Sequence, residues 1–120
     1  MGKKILVVDD DPDIVKVFSF RLKQAGYEVV VANDGITAFE KIISEKPNLI
    51  LLDVQIPGKD GITIVNEMQN NPEIKDIPVI LITGKVDLEK GGLPKTAKID
   101  YVVKPCDFKQ LIEKIDKFVA

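Results

Sequence analysis

The segment Leu49-Ile50-Leu51-Leu52-Asp53 decides the fold of this chain. A continuous aliphatic run without alternation is typical of a strand that is buried on both faces of a parallel sheet. An unpaired carboxylate inside such a strand would cost several kcal/mol, so Asp53 is expected at the strand's carboxyl end. Open α/β sheets form their ligand crevice at that edge, and the segment therefore predicts that Asp53 faces a crevice.

Further short apolar segments predict strands on either side of this one. They cover residues 5–8, 27–32, 78–82 and 101–103. Helical segments alternate with them, and Asp11 before Pro12, Asp34, Asp60 and Asp107 are the predicted capping residues. Another helix, short or distorted, is expected within residues 84–99, because Gly91, Gly92 and Pro94 are poor helix formers. Strand–helix alternation repeated along residues 1–120 predicts a single α/β domain with a parallel sheet between helices.

Apolar residues at helical spacing predict which face of each helix is buried. The first helix would bury Ile14, Val17, Phe18, Leu22 and Ala25, and the second Ala38, Phe39, Ile42 and Ile43. The third would bury Ile62, Val65 and Met68, and the last Phe108, Leu111, Ile112, Ile115 and Phe118 or Val119.

Composition excludes several classes of function. The 120 residues are 45% apolar and 30% charged, with a net charge of −2, which is not the basic footprint of a nucleic-acid-binding protein. A lone cysteine, Cys106, excludes an intramolecular disulfide, and no apolar run approaches the ~20 residues of a membrane helix. We therefore expect a cytoplasmic protein. Histidine is absent, so any phosphohistidine would have to belong to a partner.

Polar side chains follow four of the predicted strands. Asp9 and Asp10 follow the first, Asp53 ends the third, Thr83 follows the fourth and Lys104 follows the fifth. Because the carboxyl ends of parallel strands share one edge of a sheet, these side chains are expected to converge on one crevice.

The chemistry of this group indicates a metal ion and an anion. Carboxylates ~4 Å apart repel each other by about 4 kcal/mol at an effective dielectric constant near 20, and a divalent cation relieves that repulsion. Oxygen ligands in an open crevice favour Mg²⁺, which retains several waters and often shares a substrate phosphate. Thr83 and Lys104 are suited to bind an anion beside it. The set favours phosphoryl transfer to Asp53 as nucleophile.

The chain resembles the receiver domain of two-component response regulators along essentially its whole length. The resemblance rests on Ile-Leu-Val-Val-Asp-Asp-Asp at 5–11, Leu-Asp-Val-Gln-Ile-Pro-Gly-Lys-Asp-Gly at 52–61, Ile-Thr-Gly at 82–84 and Tyr-Val-Val-Lys-Pro at 101–105. It implies a flavodoxin-like (βα)5 three-layer sandwich, whose central five-stranded parallel sheet has the strand order 2-1-3-4-5.

The resemblance also implies residue roles. Asp53 would accept a phosphoryl group from a sensor histidine kinase or a histidine phosphotransfer protein. Asp10, Asp53 and the backbone carbonyl of Gln55 would bind Mg²⁺, and Asp9 would act through a metal-bound water. Lys104 would pair first with Asp53 and then with the phosphoryl oxygens. The protein would catalyse only its own phosphorylation and dephosphorylation, and is not expected to be an enzyme in any wider sense.

A conformational switch is the further implication. Thr83 would hydrogen-bond the phosphoryl group, Tyr101 would turn inward, and the face formed by helix four, strand five and helix five would change its affinity for an unknown output partner. Pro105 would follow a cis peptide bond. No output domain, membrane contact or direct nucleic-acid contact is expected, and the chain would be a monomer or a weak phosphorylation-dependent dimer. The glycines at 91–92 are unusual for helix four, which is therefore expected to be short or distorted.

Three other functions fit parts of the pattern. A phosphatase of the haloacid dehalogenase type would carry a second aspartate two residues after Asp53, where this chain has Gln55. A flavodoxin-like cofactor carrier would need a phosphate-binding loop after strand one, where the acidic residues 10–13 would repel phosphate. A phosphorylation-independent docking module of the same fold would not need the site residues, all of which are present.

Overall fold

The computed structural model describes residues 3–83, 98–103 and 107–119, and for Thr83 it describes the backbone. In chain order the elements are β1 (Lys4–Val8), α1 (Pro12–Gln24), β2 (Glu28–Ala32), α2 (Gly35–Glu45), β3 (Leu49–Asp53), α3 (Gly61–Met68), β4 (Val79–Thr83), β5 (Ile99–Val103) and α4 (Phe108–Val119). The last of these, α4, is helix five of the sequence prediction, because the helix predicted within residues 84–99 falls almost entirely outside the described residues. None of the described helices has the length and apolar character needed to cross a bilayer.

The sheet is parallel throughout, and its strand order β2-β1-β3-β4-β5 confirms the flavodoxin-like expectation. The two central strands are in register, with Val8 of β1 paired to Leu52 of β3. The residue after each member of this pair is an aspartate, Asp9 or Asp53. The register therefore brings two carboxylates to the same point of the sheet edge.

Helices cover both faces of the sheet, so the central strands have no solvent-facing side. Leu49 and Leu51 pack in a cluster with Phe18 and Leu22 of α1 and with Leu111 of α4. On the other face Ile50 and Leu52 pack with residues of α2 and α3, among them Ala38, Ile42, Ile64, Val65 and Met68. Every residue of β3 is buried. This burial explains why the strand is continuously apolar until Asp53.

The rotational phase of α1 differs from the sequence prediction. The helix buries Val15, Phe18 and Leu22, whereas Ile14 and Val17 are 38% and 54% exposed. At 100° per residue, Val15 lies nearer than Ile14 to the centre of the face defined by Phe18 and Leu22, and Val17 lies well outside it. Ala25 is also exposed, at the end of the helix. Hydrophobic spacing alone had placed all of these residues in one stripe.

Aspartates cap the helices as the sequence predicted. Side-chain oxygens of Asp11, Asp34 and Asp60 accept the backbone N–H groups of Asp13, Thr37 and Thr63 at 2.9, 2.7 and 2.8 Å. Asp107 does the same for Lys109 at 2.9 Å. Each bond satisfies one of the donors that the first turn of a helix leaves without an intrahelical partner.

The C-terminal helix α4 is held against elements from the start of the chain. The ring of Phe108 lies 5.8 Å from that of Phe18, and the guanidinium carbon of Arg21 lies 4.7 Å from the Phe108 ring centre. The hydroxyl of Tyr27 donates a hydrogen bond to the carboxylate of Asp116. These contacts close one side of the core.

Substitution of the neighbouring residues Ile42 and Ile43 tests which face of α2 is turned toward the core. Ile42 is fully buried and Ile43 is 40% exposed, although the sequence pattern placed both in the core. We expect Ile42→Ala to lower the free energy of unfolding by about 2–5 kcal/mol, because it leaves a cavity. Ile43→Ala, the matched control, should lower it by less than about 1 kcal/mol. Urea unfolding followed by circular dichroism measures both, and equal losses would contradict the observed phase.

The Tyr27–Asp116 contact predicts a pH dependence. Burial, together with the hydrogen bond and the charge of Asp116, raises the pKa of Tyr27 to about 12 from its usual 10.0. A raised pKa means that the folded protein favours the protonated hydroxyl of Tyr27, and this contribution to stability is fully present below pH 10 and is lost as the pH rises through about 12.

Ultraviolet titration of tyrosinate absorbance, with Tyr27→Phe to assign the transition, should show the ionisation of Tyr27 in this high range. Asp116→Asn should lower the pKa of Tyr27 only part of the way, because burial is the larger cause. A transition of Tyr27 at its ordinary pH in the unsubstituted protein would contradict both the burial of its hydroxyl and the hydrogen bond to Asp116.

Candidate functional site

Three aspartates meet at the carboxyl edge of the sheet. One carboxylate oxygen from each of Asp9, Asp10 and Asp53 lies within 4.8 Å of the others. Asp9 and Asp53 are only 4% and 3% exposed, whereas Asp10 faces solvent. The group therefore has a buried wall formed by the two central strands and one solvent-facing member, as the strand-end argument predicted.

Backbone bonds around β1 set the direction of the Asp9 side chain. The N–H of Asp9 donates to the carbonyl of Ala32 at 3.2 Å, which continues the contact between β1 and β2 by one residue. Its Oδ1 accepts the N–H of Asp11 at 2.9 Å, so the chain turns over this carboxylate before α1 begins. The amide of Asn33 donates to the Asp9 carbonyl at 3.4 Å, a contact that the sequence analysis had not anticipated.

A similar turn follows β3. The Oδ1 of Asp53 accepts the N–H of Gln55 at 3.0 Å, and the N–H of Val54 donates to the carbonyl of Ile82 at 3.1 Å. The N–H of Gly61 returns to the carbonyl of Val54 at 2.9 Å. A Cβ atom at Gly61 would lie 2.9 Å from the carbonyl oxygen of Asp53, so the start of α3 packs directly against the backbone of the site.

The donor set is that of a hard cation. All three side chains offer carboxylate oxygens, and the spacing allows one ion to contact more than one of them. Two unit charges 4.8 Å apart repel by about 3 kcal/mol at an effective dielectric constant of ~20, and a divalent cation would remove that repulsion. The residues present therefore fit Mg²⁺.

The other predicted site residues are described only in part. Thr83 ends β4, one position beyond Ile82, which pairs with Asp53, but its side chain is not among the described atoms. Lys104, Pro105 and Cys106 lie outside the described residues. Tyr101 lies in β5, paired with Leu81, and its side chain is 47% exposed. The roles predicted for these residues stay predictions.

Comparison with known proteins identifies the family. The sequence profile of the response regulator receiver domain matches residues 5–116. This match covers most of the chain, including Asp9, Asp10 and Asp53 and the turns that follow β1 and β3. The chain belongs to the response regulator receiver domain family, the receiver domains of two-component systems.

Solved structures with this fold include proteins with an occupied site. The response regulator TrrA of Thermotoga maritima, in complex with Mg²⁺-BeF, is 34% identical with a TM-score of 0.80, and the match covers 97% of this chain and 98% of that one. The receiver domain of the sensor histidine kinase PA1611 of Pseudomonas aeruginosa has a magnesium ion coordinated in its active site cleft. It is 26% identical with a TM-score of 0.86, over 99% and 98% of the two chains.

A chemotaxis protein is similar to the same extent. The response regulator CheY4 of Vibrio cholerae is 28% identical with a TM-score of 0.87, and the match covers 98% of this chain and 99% of that one. This chain thus shares the flavodoxin-like receiver fold with proteins of different types. One is a domain of a sensor histidine kinase, and another is a chemotaxis response regulator.

Repulsion within the acidic group predicts a gain in stability when the group loses one charge. Asp10→Asn should raise the urea midpoint in metal-free buffer, because Asp10 lies beside two buried carboxylates. The gain should shrink as ionic strength rises from ~0.01 to ~0.15 M, since the Debye length falls from about 30 to about 8 Å. Asp76→Asn, which removes the same charge from an exposed turn, is the control and should show no comparable gain. Equal effects of the two substitutions would contradict repulsion within the group.

Proposed function

We propose that this receiver domain is a phosphorylation switch in which Asp53 accepts a phosphoryl group from a phosphohistidine of a partner kinase or phosphotransfer protein. The observation that carries the proposal is the convergence of Asp9, Asp10 and Asp53 within 4.8 Å at the carboxyl edge of the sheet. Asp53 is one of the two buried members and ends the central strand β3, and its Oδ1 accepts the N–H of Gln55.

Mg²⁺ is the proposed cofactor. Asp10, Asp53 and the backbone carbonyl of Gln55 would hold the ion, and Asp9 would contact it through a water. When bound, Mg²⁺ neutralises charge that develops on the transferring phosphoryl oxygens. The magnesium in the PA1611 receiver domain and the Mg²⁺-BeF in TrrA support this assignment, together with the all-oxygen donor set of this chain.

The transfer balances without any further reactant. A carboxylate oxygen of Asp53 attacks the phosphorus atom, a P–O bond forms, and the P–N bond of the phosphohistidine breaks. The imidazole leaves with the bonding electron pair and takes up a proton. When the switch is reset, water attacks the same phosphorus atom, the P–O bond to Asp53 breaks, and the products are inorganic phosphate and the Asp53 carboxylate. The hydrogen bond from the N–H of Gln55 to Oδ1 helps to orient the Asp53 carboxylate for this attack.

Phosphorylation would change the charge of the site and the surface near it. An aspartyl phosphate carries roughly −1.5 to −2 charge and three acceptor oxygens where a carboxylate stood. Lys104 would pair with these oxygens and Thr83 would donate a hydrogen bond to them. Tyr101, now exposed in β5, would turn inward, and the face of helix four, strand five and helix five would change its affinity for an output partner.

The absence of histidine supports the direction of the transfer. These 120 residues contain no histidine, so a phosphohistidine that donates the phosphoryl group to Asp53 would lie outside them. Because a histidine kinase of Pseudomonas aeruginosa contains a similar receiver domain, a kinase partner fits this proposal.

The catalysis proposed here is limited to the protein's own phosphorylation and dephosphorylation, in the cytoplasm. The competing proposal is a docking module that does not depend on phosphorylation.

Intact mass spectrometry tests the phosphoacceptor. Incubation with Mg²⁺ and acetyl phosphate should give a single phosphoryl adduct, and Asp53→Ala should abolish it because the nucleophile is gone. Removal of Mg²⁺ with a chelator should slow its formation strongly. Asp76→Ala, which removes an exposed carboxylate far along the chain from β3, is the control and should still give the adduct.

An adduct that persists in Asp53→Ala would place the acceptor elsewhere. No adduct in the unsubstituted protein, with either acetyl phosphate or a phosphorylated histidine phosphotransfer protein, would favour the docking module instead.

A further inference from the structure

We propose that the amino end of α2 positions the loop after Asp53 for metal binding, with Gly35 and Lys59 as positioning residues. The inference rests on the proposed function, because that loop carries the backbone carbonyl of Gln55. Its evidence is independent of the carboxylates. It comes from contacts between residues 54–60 and the helices α2 and α3.

A hydrogen bond joins the loop to the first turn of α2. The N–H of Gly35 donates to the carbonyl of Pro57 at 2.8 Å. Gly35 begins the helix, so its N–H has no carbonyl partner within the helix. Asp34 caps another donor of this turn, that of Thr37, at 2.7 Å. In the first turn of α2, one backbone N–H group thus binds the capping residue Asp34, and another binds the loop that follows Asp53.

Glycine is required at position 35 by close approach. A Cβ atom there would lie 1.9 Å from the carbonyl oxygen of Lys59 and 2.5 Å from its nitrogen. These are backbone atoms, which cannot move aside as a flexible side chain can. The positive-φ residues of the described chain are Lys46, Gly26 and Gly58, so the backbone of Gly35 would itself accept a side chain. Any larger residue must therefore displace the loop.

The side chain of Lys59 makes a second attachment. Its ammonium lies 4.6 Å from the centre of the Phe39 ring on α2 and forms an ion pair with Glu67 on α3. One residue of the loop thus contacts both helices of that side of the sheet. Gly58, at φ +86°, allows the turn that brings Lys59 to this position.

These attachments matter for Mg²⁺ in particular. Mg²⁺ requires near-octahedral geometry at about 2.0–2.1 Å, whereas Ca²⁺ tolerates longer and more variable distances. A displaced loop should therefore weaken Mg²⁺ binding more than Ca²⁺ binding. A change in the ratio of the two dissociation constants is a readout that a loss of general stability would not produce.

Isothermal titration calorimetry with Mg²⁺ and with Ca²⁺ on the whole chain tests the inference. We expect Gly35→Ala to weaken Mg²⁺ binding at least about tenfold, the scale seen when residues that support metal ligands are replaced, and Ca²⁺ binding by less. Lys59→Met and Glu67→Gln should act in the same direction and non-additively, and Lys59→Arg should restore part of the affinity.

The ion pair Lys4–Glu45 is the matched control. It joins β1 to α2 at the opposite edge of the sheet, 2.9 Å apart and similarly exposed. Lys4→Met and Glu45→Gln should leave both dissociation constants unchanged. If Gly35→Ala does not fold, as judged by circular dichroism, the Lys59 and Glu67 variants carry the test.

Two results would overturn the inference. If the unsubstituted protein binds Mg²⁺ and Asp53→Asn weakens that binding, but the Gly35 and Lys59 variants match the control pair, the loop attachments do not position the site and the proposed function stands. If the unsubstituted protein does not bind Mg²⁺, the metal site and this inference fail together.

Discussion

Two carboxylates at the ends of the two central strands are the constraint on which the site depends. Asp9 and Asp53 are both almost fully buried, and the register of β1 with β3 places them side by side. Such a pair is unfavourable in isolation, because burial and like charge both oppose it. The turns that follow each strand offset part of this penalty by directing the N–H groups of Asp11 and Gln55 at the carboxylates.

The rest of the architecture holds those strand ends in place. Apolar layers on both faces of β3 leave the strand no freedom to slide, since a shift of one residue would move Leu49 and Leu51 to the other face and bring Asp53 into the core. The adjoining turns are then packed against helix ends through glycines, where backbone approaches backbone without a side chain between them. A site assembled in this way is held by rigid elements, which is what a fixed metal geometry requires.

The central sheet and the convergence of the aspartates could be predicted from the sequence, because both follow from local pattern and from the geometry of parallel strands. Asp53 after a buried run and Asp9 after another had to meet if the two strands were neighbours. That they are neighbours came from the resemblance to receiver domains and is confirmed by the observed order. The roles of Thr83, Lys104 and Tyr101 remain predictions of that resemblance.

Other features could not be predicted, for physical reasons. The phase of α1 was wrong because Ile14, Val15, Val17 and Phe18 are all apolar, so spacing alone does not define which of them face inward. The close approach at Gly35 was missed because it depends on a loop more than twenty residues away, and in sequence Asp34-Gly35 has the pattern of an ordinary turn and cap. The ion pair of Lys59 with Glu67 was missed because it depends on how the loop turns at Gly58.

The attachment of α4 to α1 has a consequence for the order of folding. Phe108 contacts Phe18 and Asp116 contacts Tyr27, and the second pair is separated by 89 residues along the chain. During synthesis from the amino end, the α1 side of β1 and β3 cannot be covered completely until α4 is made, because α4 contributes Leu111 and Ile115 to that cluster. The nascent domain thus passes through a stage in which α1 lies on this face but the part that α4 covers is still open. Closing that face joins widely separated segments, a high-contact-order step that is slow relative to the local helices.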